Sequence, residues 1–474
     1  MDLNTVKYAI KMAINLLEKE AYYSIGYASY VLPLVFFKYL SDLYSEKSCE
    51  FSKSLGSFLA FSWSDLEAVS EGASNNVSDV FSQIETDNYF MEGIFINPSG
   101  NQWHRISDEA LCKVIKIISI IEFSGIDADS CKNMGSILNE LVLQPEYYRE
   151  NTNSALIPPD SLKKLMIRIL EPKMGESLFD PACGMGGFLL EALFYLKEQG
   201  SDPSKSLFFG QEESYIFRAY TIINLFLNGV FNPHILLGST IKDVIKDETG
   251  EKCKFDVIVT NPPFGVKAWE GRHLSDENFP YGRPPKNSAD YAFIQKSLAS
   301  LSKTGRAAMI VPHGVLFRGG DEAKIRKNIV QDDVIEAIIG LPASLFDTTK
   351  IPTSIIVFAK AKTGERKRKI LFIDASKNYE LGRGKNHLSE ENIREIVLTY
   401  SEFRDRPGYS KVVSAEEISL HDYILTISRY IEPSDVKSRL NSHELAQKVH
   451  SLEFERNDVQ SKIDEILLGL GMRI

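Results

Sequence analysis

The stretch Phe255-Asp256-Val257-Ile258-Val259-Thr260-Asn261-Pro262-Pro263-Phe264-Gly265 decides how the rest of the chain is read. Its first half is an apolar run rich in β-branched residues, the pattern of a parallel strand covered on both faces. Two prolines then remove backbone donors and hold the chain extended, so the strand has to stop at Asn261. Asn261 is thereby placed at the carboxyl end of a central strand, where open α/β sheets bind ligands. Phe264 follows with an aromatic face to present. An exocyclic amine on a nucleobase is a poor nucleophile, because its lone pair is delocalised into the ring. The side-chain oxygen of Asn261 and the carbonyl of Pro262 can accept both of its N–H bonds, drawing the lone pair out of conjugation and aiming it at an electrophile. Phe264 can stack on a base swung out of a duplex. The plainer reading is a strand followed by a rigid turn, with Asn as a turn residue.

The chain has 474 residues, room for two or three domains. Its five cysteines are scattered and form no C-x-x-C pair, which argues against zinc sites and disulfide frameworks and fits a reducing cytoplasm. The run His443-Glu444-Leu445-Ala446-Gln447 opens like a zincin helix but lacks the second histidine. A net charge of −10 gives no global pull toward nucleic acid, so any grip on DNA must be local or supplied by a partner. No secretory signal opens the sequence. The uncharged run Ala21 to Phe37 is broken by Gly26 and Pro33 and reads as a buried helix, not a membrane span.

From Gly175 onward strands and helices alternate. Strands are expected at Ser177–Phe179, Ser206–Phe209, Ile235–Leu237, Phe255–Thr260, Ala307–Val311, Ile335–Ile339 and Ser354–Phe358, with helices at Phe188–Gln199, Tyr215–Asn228 and Tyr291–Leu301. That is a doubly wound α/β fold with a mainly parallel sheet. The first strand runs into Asp180-Pro181-Ala182-Cys183-Gly184-Met185-Gly186-Gly187-Phe188, a glycine turn leading directly into a helix. It is not a P-loop, having no G-K-[ST], and its last position is Leu189 where the dinucleotide fingerprint needs glycine. An acid at Asp180 would repel a pyrophosphate but suits a cationic ligand carrying an ammonium and a sulfonium. Glu212 ends the second strand, where a carboxylate can clasp both ribose hydroxyls. Together these specify S-adenosylmethionine over a nucleotide phosphate.

Residues 1–150 show helical periodicity: Leu3, Val6, Ile10, Ile14 and Leu17 share one face, and further helices are expected at Tyr27–Leu43, Leu111–Ile121 and Met134–Leu143. The loop Asn97–His104 carries Trp103, read as either a DNA-contacting aromatic or a Trp packed under a loop. Between Phe264 and Ala289 lies a long segment with Lys267, Trp269, Arg272, His273, Tyr281, Arg283 and Lys286. Basic and aromatic residues interleaved there suit phosphates and an unstacked base, or else a solvated surface. Lys360, Lys362 and Arg366 to Lys369 are expected at a hairpin tip between Ile355–Ala359 and Ile370–Ile373, with DNA or with nothing in contact. Ser414 and Glu417 look like a capping box. In the last helix Leu445, Val449, Leu452, Val459, Ile463, Ile466 and Leu470 alternate in steps of four and three, a coiled-coil-like seam that wants a partner helix or the protein's own body.

The sequence resembles the modification (methyltransferase) subunits of type I restriction-modification systems, which are N6-adenine DNA methyltransferases. The matching signatures are Asp180 to Leu189, Gly210-Gln211-Glu212, Asn261 to Gly265, Ala289-Asp290-Tyr291-Ala292-Phe293, Val311 to Phe317 and Ile339 to Phe346. The resemblance implies that Asp180, Ala182, Gly184 and Gly186 line the methionine end of the cofactor and that Glu212 binds its ribose. It implies that Asn261, Pro262, Pro263 and Phe264 hold a flipped adenine, with Lys267, Arg272, Arg283 and Lys286 near DNA. Two positions depart from the family pattern. Pro158 stands where members have the hydroxyl of a Tyr-Thr-Pro, and Ser239 stands where an acid meets the cofactor's adenine. The resemblance also implies three parts: a helical N-terminal domain over 1–150, an S-adenosylmethionine-dependent methyltransferase domain over 151–412, and a docking segment over 413–474. Implied partners are double-stranded DNA, a specificity subunit (two modification subunits to each) and a restriction subunit, in the cytoplasm and without a membrane. No metal is called for. A protein-glutamine or RNA-base methyltransferase and a non-catalytic assembly subunit remain as alternatives.

Overall fold

The structure is a computed structural model. It describes residues 3–19, 28–45, 61–88, 91–97, 102–123, 157–202, 206–247, 249–267, 274, 279–346, 352–382 and 385–432, with 449–453, 456, 459–460 and 462 near the C-terminus. The helix expected at Met134–Leu143, the residues Arg272, Trp269 and His273, and most of the C-terminal seam lie outside these. Of the seam, Val449, Leu452 and Val459 are described, helical and exposed. No helix among the described residues is long and apolar enough to cross a membrane.

The N-terminal region is helical: α1 (Leu3–Lys19), α2 (Ala28–Ser45), α3 (Trp63–Glu67), α4 (Ala73–Asp87) and α5 (Asp108–Ile118). Helix α1 buries Val6, Ala9, Ile10, Ala13, Ile14 and Leu17, the face its periodicity predicts. Helix α4 starts at Gly72 in the left-handed region (φ 74°) and has no cap of its own. Asp108, at the start of α5, supplies one: its carboxylate accepts the Gly72 N–H at 2.7 Å and the Ser74 N–H at 2.9 Å. Trp103 is fully buried between Tyr30 and Phe81, and its indole N–H donates to the Phe95 carbonyl at 2.9 Å. The packed reading of Trp103 therefore holds, and its ring is not presented to DNA.

The remaining elements in chain order are α6 (Asp160–Leu170), β1 (Ser177–Asp180), α7 (Gly187–Glu198), β2 (Leu207–Glu212), α8 (Tyr215–Leu227), β3 (His234–Leu237) and β4 (Phe255–Thr260). Then come α9 (Asp290–Ser300), β5 (Leu301–Pro312), α10 (Asp321–Gln331), β6 (Ile335–Gly340), β7 (Thr353–Ala359), β8 (Lys369–Asp374), the small pair β9 (Glu380–Leu381) and β10 (Asn386–His387), α11 (Glu390–Glu402), β11 (Ser410–Ser414) and α12 (Ala415–Leu420). Among the described residues, nine strands form one sheet in the order β11-β8-β6-β7-β5-β4-β1-β2-β3. All are parallel except β7, which runs against β5 and β6, and the edge strand β11. Along β4, Val257 and Val259 pack into the core on one side of the sheet, while Phe255 and Ile258 pack into that on the other. Both faces being covered explains why the strand reads as an unbroken apolar run.

The expected hairpin between β7 and β8 does not form. The hairpin partner of β7 is β6, and β8 pairs in parallel with the far edge of β6. The link from β7 to β8 therefore crosses the start of β6, and its basic residues hold it there. The buried ammonium of Lys362 donates to Asp333 at 2.6 Å and to the carbonyls of Ile335 and Lys369. Arg366 reaches Glu336 of β6 and lies over the rings of Tyr400 and Phe403, and Arg368 pairs with Glu416. These cations serve the fold. Ser414 does cap α12 by accepting the Glu417 N–H, but Glu417 turns to Lys411 at 2.9 Å rather than completing a capping box.

The helical region and the sheet share one core. Phe36 of α2 meets Phe226 of α8 edge-on at 5.5 Å. Asn97 donates to the Tyr215 hydroxyl at 2.7 Å. Arg218, buried on α8, donates to the Glu92 carbonyl of the helical region and to the Ile235 carbonyl of β3.

Candidate active site

The chain leaves β1 toward β2 on one side and later enters β4 on the other, so β1 and β4 are neighbours whose connections run in opposite directions. That is the topological switch point, where a crevice opens beyond the carboxyl ends. The register pairs Phe179 with Ile258, which sets Asp180 abreast of Val259 and close to the Asn261 turn. The glycine loop and the Asn-Pro-Pro-Phe turn are therefore side by side.

Asp180 is buried at the tip of β1, and its carboxylate accepts the Ala182 N–H at 3.0 Å. Burial, with the nearby charge of Glu212 adding, pushes its pKa up to about 7. Glu212 ends β2. One of its oxygens accepts the Gly184 N–H at 2.9 Å and the other the Ser214 N–H at 2.8 Å, which fixes the carboxylate across the glycine loop. Burial raises its pKa too. Each oxygen keeps a lone pair for a further donor. Gly186 sits at φ 80°, and a Cβ there would come within 2.9 Å of Thr221. Thr221 in turn donates to the Gly184 carbonyl at 2.7 Å, so α8 clamps the loop from below. Cys183 is buried against that threonine, and burial drives its thiol well above the usual range, which removes it as a nucleophile.

A cavity of about 290 Å³ opens at the strand tips. Ala182, Gln211, Glu212, Glu213, Ser239, Thr240 and Lys242 bring polar groups to its wall, and Ile241, Pro263, Val266 and Phe293 bring apolar ones. Of the residues singled out in the sequence, Ala182, Glu212, Ser239, Pro263 and Lys267 line it. Asp180, Gly184, Gly186, Asn261, Pro262 and Phe264 stand behind or beside that wall, and Pro158 lies in the lead-in to α6. Asn261 is half-buried with its Oδ1 shielded from solvent, and Phe264 is half-buried with one flank against the core. Lys267, Arg283 and Lys286 are exposed, with Arg283 donating to the Leu274 carbonyl at 2.9 Å.

Sequence reasoning missed Phe293 and Ile241, which pack together with Ala289 and Ala292 as a small apolar cluster. Phe293 was within a quoted signature but carried no assigned role. It also missed Asp243. The sequence shows only hydroxyls after β3, yet the Asp243 carboxylate folds back to accept the Ser239 N–H at 2.8 Å. An acid thus backs the position from one turn downstream. Thr240 braces the same corner, its hydroxyl bonded to the Pro181 carbonyl and to Gln211.

The profile of the N-6 DNA methylase family matches residues 145–439, well over half of the chain, and that of the HsdM N-terminal domain matches residues 8–118. The chain belongs to the N-6 DNA methylase family. The chain is 36% identical over 313 residues to the type I restriction enzyme MjaVIII methylase subunit of Methanocaldococcus jannaschii, covering 63% of this chain and 53% of that protein. The MjaVII methylase subunit of the same organism is 32% identical over 369 residues, covering 75% and 61%. The chain thus spans between half and two thirds of the length of these curated relatives. Among solved structures, the type I restriction-modification system methyltransferase subunit from Streptococcus thermophilus superposes with a TM-score of 0.72 at 27% identity, over 91% of this chain and 100% of that one. The shared fold is the mixed α/β sheet with a helical N-terminal region.

Proposed function

We propose that this chain is the methyltransferase subunit of a type I restriction-modification system. It transfers a methyl group from S-adenosylmethionine to N6 of an adenine flipped out of double-stranded DNA, and a separate specificity subunit chooses the sequence. The observation that carries this reading is the adjacency of the β1 and β4 tips, which brings an acidic glycine loop against the Asn-Pro-Pro-Phe turn.

The residues present fit the cofactor. Asp180, buried, and Glu212, half-buried, place two carboxylates at the glycine loop, a local setting that favours a cation over a phosphate. Glu212 is already oriented by two backbone donors and can take ribose hydroxyls. Ile241, Pro263 and Phe293 offer apolar flanks to a flat ring. When bound, S-adenosylmethionine supplies a methyl group on a positively charged sulfur, ready for displacement. The protein's part is positioning. Asn261 Oδ1 and the Pro262 carbonyl accept the two amine hydrogens, leaving the nitrogen lone pair directed at the methyl. Phe264 stacks on the base. Methyl transfer would form the N–C bond as the donor's C–S bond breaks, the electron pair staying on sulfur in a neutral thioether leaving group; the two oxygens would stabilise the positive charge gained by the nitrogen until one N–H proton leaves to solvent.

In this reading residues 1–150 and 413–474 serve partner and DNA contacts and 151–412 the chemistry. Lys267, Arg283 and Lys286, together with Arg272, meet phosphates. The assembly contains two such subunits per specificity subunit, with a restriction subunit in the full complex, and works on DNA in the cytoplasm. The test incubates labelled S-adenosylmethionine and unmethylated DNA with the chain, with and without its specificity subunit, and repeats this with Asn261→Ala. N6-methyladenine that requires the assembly and falls at least a hundredfold in Asn261→Ala is expected. Label on protein or RNA, or no label at all, overturns the reading.

A further inference from the structure

The Asn-Pro-Pro-Phe turn has an unusual tethering problem. Pro262 and Pro263 have no N–H, so no backbone ladder can hold the turn beyond Thr260. The amides that can anchor its exit are those of Phe264 and Gly265. The Gly265 N–H donates at 3.0 Å to Oδ1 of Asp290, the first residue of α9. The Asp290 side chain is only 3% exposed. Its second oxygen, Oδ2, accepts from the Arg318 guanidinium, which comes from the loop after β5, the strand next to β4.

Arg318 is itself fixed on several sides. Its Nε donates to the buried Glu322 at 2.6 Å. Its guanidinium lies on Gly314 so closely that a Cβ there would be 3.1 Å from Cζ. Its carbonyl accepts from the buried Arg326 at 2.9 Å, and Arg326 also donates to the Tyr423 carbonyl at 2.7 Å. The chain from Gly265 through Asp290 and Arg318 to α10 is thus an ionic brace between two strand tips. A charge-assisted, two-sided contact of this kind holds geometry better than a neutral one.

We infer that Asp290 and Arg318 are positioning residues for methyl transfer, locking the exit of the Asn261–Phe264 turn so that its acceptors are set before the base arrives. The inference rests on the proposed methyl transfer. Neither residue lines the cavity, so the brace reaches it only through Pro263 of the turn, and its effect on turnover exceeds its effect on cofactor affinity. A displaced acceptor geometry lowers turnover steeply, by about 10- to 100-fold for shifts near an ångström.

The test uses the chain assembled with its specificity subunit, unmethylated DNA and labelled S-adenosylmethionine, measuring kcat, KM for DNA and, by calorimetry, cofactor Kd. Asp290→Asn keeps the shape and an acceptor for Gly265 but releases Arg318. Its kcat is expected to fall about 10- to 100-fold with cofactor Kd within about twofold. Arg318→Gln is expected to fall less, because Asp290 still accepts from Gly265, and Arg318→Lys to recover part of that loss. A kcat within twofold of wild type in Asp290→Asn overturns the inference, as does a cofactor Kd that weakens in step with kcat. Should Asp290→Asn not fold, Arg318→Gln decides alone, since Arg318 is over a third exposed; unchanged kcat there overturns it. An inactive wild-type assembly overturns the proposed function and this inference together, whereas an active Asp290→Asn beside an active wild type overturns the inference alone.

Discussion

Asp180 is a carboxylate held where a charge is costly. Its folded-state pKa near 7 lies above the ordinary value of 3.8, so between those limits the folded chain binds a proton that the unfolded chain does not. Stability without cofactor therefore falls as pH rises from about 4 to about 7, and one pKa unit corresponds to about 1.4 kcal/mol. A cation bound beside Asp180 favours the charged form and reverses the trend. Cofactor binding is thus expected to release a proton and to tighten as pH rises from 6 to 8. Calorimetry in buffers of different ionisation enthalpy checks this, and a pH-independent Kd would remove Asp180 from the site. Asp180→Asn is expected to raise the apo melting temperature at pH 8 while weakening cofactor binding. Gly186 makes the opposite kind of demand. Alanine there meets both a left-handed φ and the Thr221 side chain at 2.9 Å, so Gly186→Ala is expected to cost about 1 kcal/mol or more in urea denaturation and to loosen the cofactor loop. Asp180, Glu212, Gly186 and Asn261 were legible in the sequence because each sits in a short run whose spacing encodes its place. The roles of Phe293, Ile241, Asp243 and Asp290 were not, although Asp290 and Phe293 fall in the Ala289–Phe293 run, because they reach this crevice from separate elements, and no local pattern says that those elements converge.

At the scale of elements, β4 is the strand on which the site depends. Ile258 is fully buried in the core on one side of the sheet, three residues before Asn261. Ile258→Ala removes packing there without touching the turn, so it is expected to destabilise by about 2–5 kcal/mol and to leave kcat unchanged well below the melting point. A stability loss below about 1 kcal/mol would mean that this core relaxes far more than its packing implies. Strand β8 was expected as an antiparallel partner of β7 and instead pairs in parallel with β6, whereas β1 to β6 were readable as short apolar segments alternating with helices, the doubly covered ones such as β4 being apolar throughout. The direction of β7 was not, since Thr353–Ala359 is as apolar as its neighbours and an apolar run carries no sign of orientation. For the same reason the cationic link after it was read as an open hairpin tip. The partners of Lys362 and Arg366, namely Asp333, Ile335 and Glu336, lie in and just before β6, and only the sheet order brings them within reach.

At the scale of the whole molecule, the helical region and the central sheet are bound by α8, every residue of which from Ile216 to Leu227 is buried. One side of that helix clamps the glycine loop through Thr221, and another meets Phe36, Glu92 and Asn97 of the N-terminal region. A disturbance of the helical region is therefore transmitted to the floor of the site. Arg218→Ala leaves the carbonyls of Glu92 and Ile235 without their buried donor, at about 1–3 kcal/mol. Because the core is continuous, unfolding is expected as one transition shifted to lower temperature, not as early loss of the helices alone. Scanning calorimetry of the full chain decides this. If Arg218→Ala separates the trace into two transitions with the higher one unmoved, the regions are energetically independent, and α8 joins them without coupling them. If it lowers a single transition and weakens cofactor binding as well, the helical region is part of what holds the glycine loop in shape.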